Sequence, residues 1–346
     1  MNKGKLQSDE ISGLGEFGLI RHLTKDMVNR NESTIKGVGD DAAVLGFGSR
    51  KAVISTDMLA EGVHFNLVYT PLKHLGYKAA VVNFSDVYAM NAQPRQLLVS
   101  MALSAKFKLS MVEEIYAGIR LACEQYGVDL VGGDTTSSMT GLVLSLTVVG
   151  DAADEELVYR SGAGINDLIC VSGDLGGAYI GLQVLERERV MFEKHQDMQP
   201  ALMGYDYVLE RQLKPEARKD IIALFKELGL KPTSMIDISD GLSSELMHIC
   251  EQSGRGCKIY SDKVPVHEET RRISQEFGVD PLIAALNGGE DYELLFTVPV
   301  SRFDQIGNRK EISIIGHVVD AAEGARMVDS HGSVISLQAQ GWNALG

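Results

Sequence analysis

Short apolar runs of strand character alternate with longer stretches of helical period through the first half of the chain. Residues 51–56 read as a strand, 72–92 as a helix, 96–103 as a strand and 110–126 as a second helix. Runs at 128–131 and 142–149 complete a strand set, so the pattern predicts mixed α/β layering but gives no order of strands. The acidic stretch 151–156, followed by the glycine-bearing stretch 159–167, reads as a linker. It divides the chain into an expected domain over 1–152 and another over 153–346. The second half repeats the mixture, with a strand at 168–172, a glycine turn into a helix at 173–177, and later strands at 257–260, 293–298 and 312–319. No short-period repeat or low-complexity tract interrupts it.

A chain of 346 residues, 45% of them hydrophobic, can bury a large core and suits two domains. Its 33 basic residues against 47 acidic ones give a net charge of -14, which argues against nucleic acid or an anionic membrane as a bulk partner. The first ten residues lack an apolar leader core and no run of about eighteen apolar residues follows, so the expected compartment is the cytoplasm. Cys123, Cys170, Cys250 and Cys257 show neither C-x-x-C nor zinc-ligand spacing and read as reduced structural thiols.

The candidate chemistry lies in aspartates that close short apolar or glycine-bearing segments: Asp41, Asp57, Asp86, Asp134 and Asp237. Magnesium takes few direct carboxylates and completes its shell with water and substrate phosphate, so aspartates spread over several elements suit a nucleotide-metal site. Each also has a plainer reading. Ser55, Thr56 and Asp57 offer three adjacent oxygens at a strand end, or a strand-ending turn. Asp86 shares a helix face with Asn83, and a carboxylate in an apolar helix needs a cation or arginine partner. Asp134 follows Gly132 and Gly133, which either admit a phosphate or form a simple turn. Asp237 and Asp240 flank Ser239 just before a helix, where Ser239 or Asp240 serves as an N-cap, a role compatible with ligation. Glu290 precedes a strand, as a turn residue or a contact to a cationic ligand, and Asp174 reads as a turn residue. His64 by itself is an ordinary imidazole. Gly13, Gly15 and Gly18 satisfy G-x-G-x-x-G, but the polar residues before them rule out the buried strand that a dinucleotide loop requires. Neither a Walker A loop nor the protein-kinase motifs occur.

Taken in order, Gly39 to Asp41, Ser55 to Asp57 with Glu61 to Phe65, Asn83 to Asp86, Gly133 to Thr135, Asp237 to Gly241 and Gly288 to Leu294 resemble the thiamine-monophosphate kinase family. The dispersed aspartates are shared with the wider aminoimidazole-ribonucleotide synthetase-like superfamily. The resemblance implies a two-domain α/β fold of that superfamily, a homodimer whose N-terminal domains build an intersubunit β-barrel, and ATP and magnesium ions in the domain cleft. By motif, Asp41, Ser55, Thr56, Asp57, Asp86, Asp134, Asp237 and Asp240 resemble the magnesium shell. Tyr116, Gly133, Asp134, Arg160 and Ser239 resemble ATP contacts, with Asp57, Asp86, Asp134 and Arg160 carrying the chemistry. His64, Glu290 and Trp342 resemble residues around thiamine monophosphate. The chain departs from the family at its end, where Ala344 and Leu345 replace a His-Phe pair. The implied reaction moves the ATP γ-phosphoryl group directly onto the phosphate of thiamine monophosphate. A selenophosphate synthetase would need an N-terminal reactive cysteine, whereas the first here is Cys123, and a calcium-binding module would need an EF-hand pattern the chain lacks.

Overall fold

The computed structural model describes residues 22–36, 44–45, 48–195 and 199–338. Asp41, Trp342, Ala344, Leu345 and the glycines at 13, 15 and 18 lie outside the described residues. The chain divides into one compact unit of Met1–Phe84 with Gln93–Asp151 and another of Ser85–Ala92 with Ala152–Gly346.

In the first unit β1 (Thr34–Lys36) and β2 (Val44–Leu45) form a small antiparallel ribbon. The main sheet contains β3 (Lys51–Ala60), β4 (Gln93–Leu103), β5 (Asp129–Ser137) and β6 (Val143–Ala152) in the order β3-β6-β4-β5. Alternation decides its faces: Leu144, Leu146 and Val148 of β6 are buried while Val143, Ser145 and Thr147 are half-buried. Two helices supply the cover, α1 (Leu72–Ala89) and α2 (Leu109–Tyr126), and α2 makes the crossover between the parallel strands β4 and β5. Leu75, Tyr77, Val81, Phe84 and Tyr88 of α1 are all buried, which explains why that segment reads as apolar all round rather than striped. The two helices meet backbone to backbone: a Cβ on Gly76 would lie 1.9 Å from the Ile115 carbonyl oxygen, and one on Gly118 would lie 1.9 Å from that of Lys73. The helix ends at Ala89, not at 92, because Asn91 takes a left-handed conformation that turns the chain into β4.

The second unit is built on a seven-stranded sheet. Its strands are β7 (Leu168–Ser172), β8 (Ser234–Asp237), β9 (Gly256–Tyr260), β10 (Leu294–Val298), β11 (Ile312–Val319), β12 (Ala325–Val328) and β13 (Val334–Ser336). They lie in the order β13-β12-β9-β11-β7-β10-β8, antiparallel except for the parallel pair β9 and β12. Ile169, Val171, Ile236, Leu295, Ile315 and Val318 share a core with Leu242, Leu246 and Ile249. The helices are α3 (Gly177–Lys194), α4 (Asp206–Leu213), α5 (Lys219–Leu228), α6 (Leu242–Ser253), α7 (Glu268–Phe277) and α8 (Pro281–Asn287). All four cysteines are free. Among the described residues no helix is long and apolar enough to cross a membrane.

Candidate active site

In the second unit the site residues gather where β8 runs into α6. Asp237 ends β8, is buried, and accepts a 2.6 Å hydrogen bond on Oδ2 from the Ser85 hydroxyl. Neither Ser239 nor Asp240 caps the following helix. Gly241 occupies the N-cap position without a side-chain bond, and the Asp240 N–H is taken at 3.1 Å by Oε1 of Glu245, reaching back from inside α6. That bond serves the same need as a cap, a partner for a main-chain donor near a helix start. Burial holds the Asp240 carboxyl above its ordinary range, while His248 and Arg160 pull it back down. Glu245 itself is only 1% exposed and its Oε2 has no hydrogen-bond partner. Burial pushes its carboxyl up to about 8, with the charges of Asp240 and Asp237 adding to the effect.

The segment Glu290–Glu293 is laced onto this turn. The Glu290 N–H donates to the Ser239 carbonyl at 2.7 Å, the Tyr292 N–H to Ile238 at 2.9 Å, and the Ile238 N–H to Glu293 at 2.8 Å. To make these bonds Glu290 and Tyr292 adopt left-handed conformations, with φ of 58° and 53°, each at a cost of roughly 1–2 kcal/mol for an L-residue. Buried charge holds the strained segment. Glu293 receives Arg211 at 3.0 Å on one oxygen, and on the other both Arg218 and the Ser172 hydroxyl, the latter at 2.5 Å. Asp291 accepts the Gly176 N–H at 2.7 Å, and burial raises its carboxyl to about 7 against the opposing pull of Arg211. Glu290 is half-buried, its Oε2 held by the Gln212 amide at 2.8 Å. Asp174 is held by a residue distant in sequence, with the Tyr207 hydroxyl 2.8 and 2.7 Å from its two carboxylate oxygens.

The first unit presents its candidates on β3, α1 and β5. Strand alternation places Ser55 and Asp57 on one face of β3 and Thr56 on the other. The three oxygens expected side by side are therefore not presented together, and the Thr56 hydroxyl donates instead to the Leu146 carbonyl at 2.9 Å. Asn83 is buried on α1, and its Oδ1 accepts the Asp57 N–H at 3.2 Å. His64 sits in the turn after β3, where its Nδ1 accepts the Ala60 N–H at 3.1 Å, leaving Nε2 as the nitrogen available outward. Gly133 has a demand from its own sheet: a Cβ there would lie 1.8 Å from the Val99 carbonyl oxygen. Asp134 is exposed beside it, with Oδ1 accepting the Thr135 N–H at 2.9 Å. Tyr116 is a core side chain, 7% exposed, whose hydroxyl burial pushes up to about 12; a ring so covered offers a nucleotide little area.

The second unit thus brings Arg160, Asp237, Ser239, Asp240 and Glu290 into one neighbourhood, and Asp86 lies in the same unit on the end of α1. Among the described residues no three acidic, histidine or cysteine side chains converge on one point as a finished metal site. That suits magnesium, which needs few direct protein ligands. The acid excess around Asp237 and Asp240, and the buried, unpaired oxygen of Glu245, fit a hard cation with its water shell. Sequence reasoning missed Glu245, although a signal existed: it falls on the apolar face of α6 with Leu242, Leu246 and Ile249. It also missed Arg211 and Arg218, whose distance in sequence from Glu293 gives no local sign of the pairing.

Comparison with known proteins gives these residues a family. Residues 39–152 match the model for the N-terminal domain of AIR synthase related proteins. Thiamine-monophosphate kinase of Aquifex aeolicus is 37% identical over 302 residues, which cover 87% of this chain and 92% of the relative. The enzyme of Bacillus subtilis is 30% identical over 339 residues, covering 95% and 99%. The solved structure of AaThiL complexed with AMPPCP and TMP superposes with a TM-score of 0.74 at 32% identity, covering 97% of this chain and 99% of that one. With identity of this order extending through both units, the chain belongs to the thiamine-monophosphate kinase family.

Proposed function

We propose that the chain transfers the γ-phosphoryl group of ATP to thiamine monophosphate, giving thiamine diphosphate and ADP. The observation that carries this reading is the interlocked pair of turns that sets Ser239, Asp240 and Glu290 side by side within the field of Arg160. Family membership, and a relative's complex with an ATP analogue and TMP, support the choice of substrates.

The acceptor is itself a phosphate with a second pKa of about 6, so at neutral pH it is largely dianionic and needs no strong base. No nucleophilic side chain is called for either. The Cys123 thiol is buried and pushed up to about 12, and burial raises Cys170 as well, so neither supplies a thiolate at neutral pH. Transfer is direct and in line, and the protein's task is to position two anions and offset their charge. Arg160 lies against charge developing on the transferring group, and Ser239 and the Gly133 to Asp134 turn line the nucleotide phosphates. By family motif, Asp57, Asp86, Asp134, Asp237 and Asp240, with Asp41 and Ser55, are the residues that would hold magnesium, which when bound would offset the charge of the phosphate oxygens. His64 offers Nε2 to the acceptor. Glu290, presented by its left-handed turn, and Trp342 meet the cationic thiazolium ring, whose contact with an aromatic face is worth roughly 0.5–2 kcal/mol. The working protein is a cytoplasmic homodimer: β3 is an edge strand whose outward Ile54 and Met58 are 66% and 60% exposed, a surface that a second copy would cover.

An assay of ADP release decides the reading. Thiamine monophosphate with ATP and magnesium should support turnover, and thiamine in its place should support little, since its hydroxyl brings neither charge nor an ionised oxygen. Equal rates with the two acceptors, or none with either, would sink the assignment.

A further inference from the structure

Within the second unit, the carboxylate that lies deepest beside the Asp237 to Gly241 turn belongs to Glu245, a residue that the motifs of the family reading do not include. It stands on the first turn and a half of α6, 1% exposed, between the apolar side chains of Leu242, Leu246 and Ile249. Its two oxygens do different things. Oε1 clamps the Asp240 N–H at 3.1 Å and so fixes the turn on which Ser239 and Asp240 are displayed. Oε2 is equally buried and has no donor. An orphaned carboxyl oxygen in the interior is costly, and here its companion oxygen is bonded to the turn that carries Asp237 and Asp240. The nearby cationic groups, Arg160 and His248, act on Asp240. The Asp237 Oδ2 accepts the Ser85 hydroxyl. What remains unserved is one buried oxygen of Glu245, and a cation's coordinated water is a donor that suits it.

We propose that Glu245 is a positioning residue of the divalent-cation site, with Oε1 holding the Asp240 turn in place and Oε2 accepting a hydrogen bond from a water on the bound cation. The inference rests on the magnesium reading above, and it explains why a helix that begins with a glycine N-cap carries a fully buried acid on its core face. Glu245 need not touch either substrate.

The test uses manganese as the probe and needs no turnover. Free Mn2+ is counted by electron paramagnetic resonance as it is titrated into the full chain without nucleotide, for the wild type and for Glu245→Gln. The amide of Glu245→Gln keeps an acceptor for the Asp240 N–H but puts an NH2 group, which cannot accept, in place of the second oxygen, so Mn2+ affinity should fall about 10- to 100-fold, as for other residues that act on a metal through its surroundings. The metal-free melting temperature should stay near that of the wild type, an outcome a purely structural role would not pair with the lost affinity. Glu245→Asp keeps both oxygens but withdraws them by one methylene, and should bind Mn2+ with intermediate affinity. It serves as the measurement if the glutamine variant does not fold. Wild-type affinity in Glu245→Gln, or in Glu245→Asp where only that variant folds, overturns this inference alone, whereas a wild type that binds no Mn2+ overturns the magnesium reading with it.

Discussion

On β3 the half-buried Asp57 rides an edge strand on the face turned away from Ile54 and Met58, its backbone N–H held by Asn83. In the second unit the acids of the Gly288 to Leu294 segment are divided between two duties. Asp291 and Glu293 face inward, one onto the N–H groups of the Gly176 turn and the other onto two arginines, while Glu290, one residue before them, is carried on a left-handed turn toward the site. The contrast teaches that acidic density in a motif does not measure ligand density. Some carboxylates present chemistry, and their neighbours keep the presenting backbone in a conformation it would otherwise leave.

The sharpest way to break that division is to remove an acid that only holds. Glu293→Ala leaves Arg211 and Arg218 buried without their shared partner, and breaking a buried pair of this kind costs about 3–5 kcal/mol. Urea denaturation should show the loss directly, and a variant as stable as the wild type would mean the network carries no weight. Asp57→Asn should behave in the opposite way. Turnover should fall by about 10²- to 10³-fold, the usual scale for losing a charge-stabilising group, with a melting temperature within a few degrees of the wild type. Near-normal turnover at saturating magnesium would remove Asp57 from the site. Glu290→Gln probes the presenting arm of the same motif. It should raise the KM for thiamine monophosphate several-fold, in keeping with roughly 1 kcal/mol for one charge contact, and leave the KM for ATP nearly unmoved.

A further prediction concerns pH. Asp291 has its folded-state pKa raised from 3.8 to about 7. Between those values the folded protein binds more protons at this position than the unfolded chain, so the group's contribution to stability falls as pH rises from about 4 to about 7. Asp291→Asn removes that slope. Denaturant midpoints measured at intervals from pH 4 to 7 should therefore show a flatter profile in the variant, and parallel profiles would show that Asp291 is already ionised across the range.

Much of the scaffold was legible because alternation and helical period are local. The strands Leu168–Ser172 and Ile312–Val319 occur where the apolar runs place them. Strand β8 escaped, since Ser234 to Asp237 are four residues buried on both faces and show no period to read. For the site, the motif order led to Asp237, Asp240 and Glu290, and the structure shows why they travel together, namely the main-chain bonds between Ser239 and Glu290. What stayed hidden was set by contacts across long stretches of sequence. Arg211 with Glu293, and Glu245 folding back on Asp240, leave no spacing signature. The Thr56 side chain points away from those of Ser55 and Asp57, because neighbouring positions in a strand face opposite ways whatever their adjacency in the text.

The open edge at β3 reaches beyond the question of what the first unit presents. A strand that exposes Ile54 and Met58 at the end of its sheet would couple the protein's stability to its abundance through a second copy. If a second copy covers that edge, folding and association draw on one equilibrium, and the melting temperature climbs with protein concentration by mass action. Dilution then becomes a form of denaturation, and a cell that makes little of the protein holds it closer to its unfolding threshold than one that makes much.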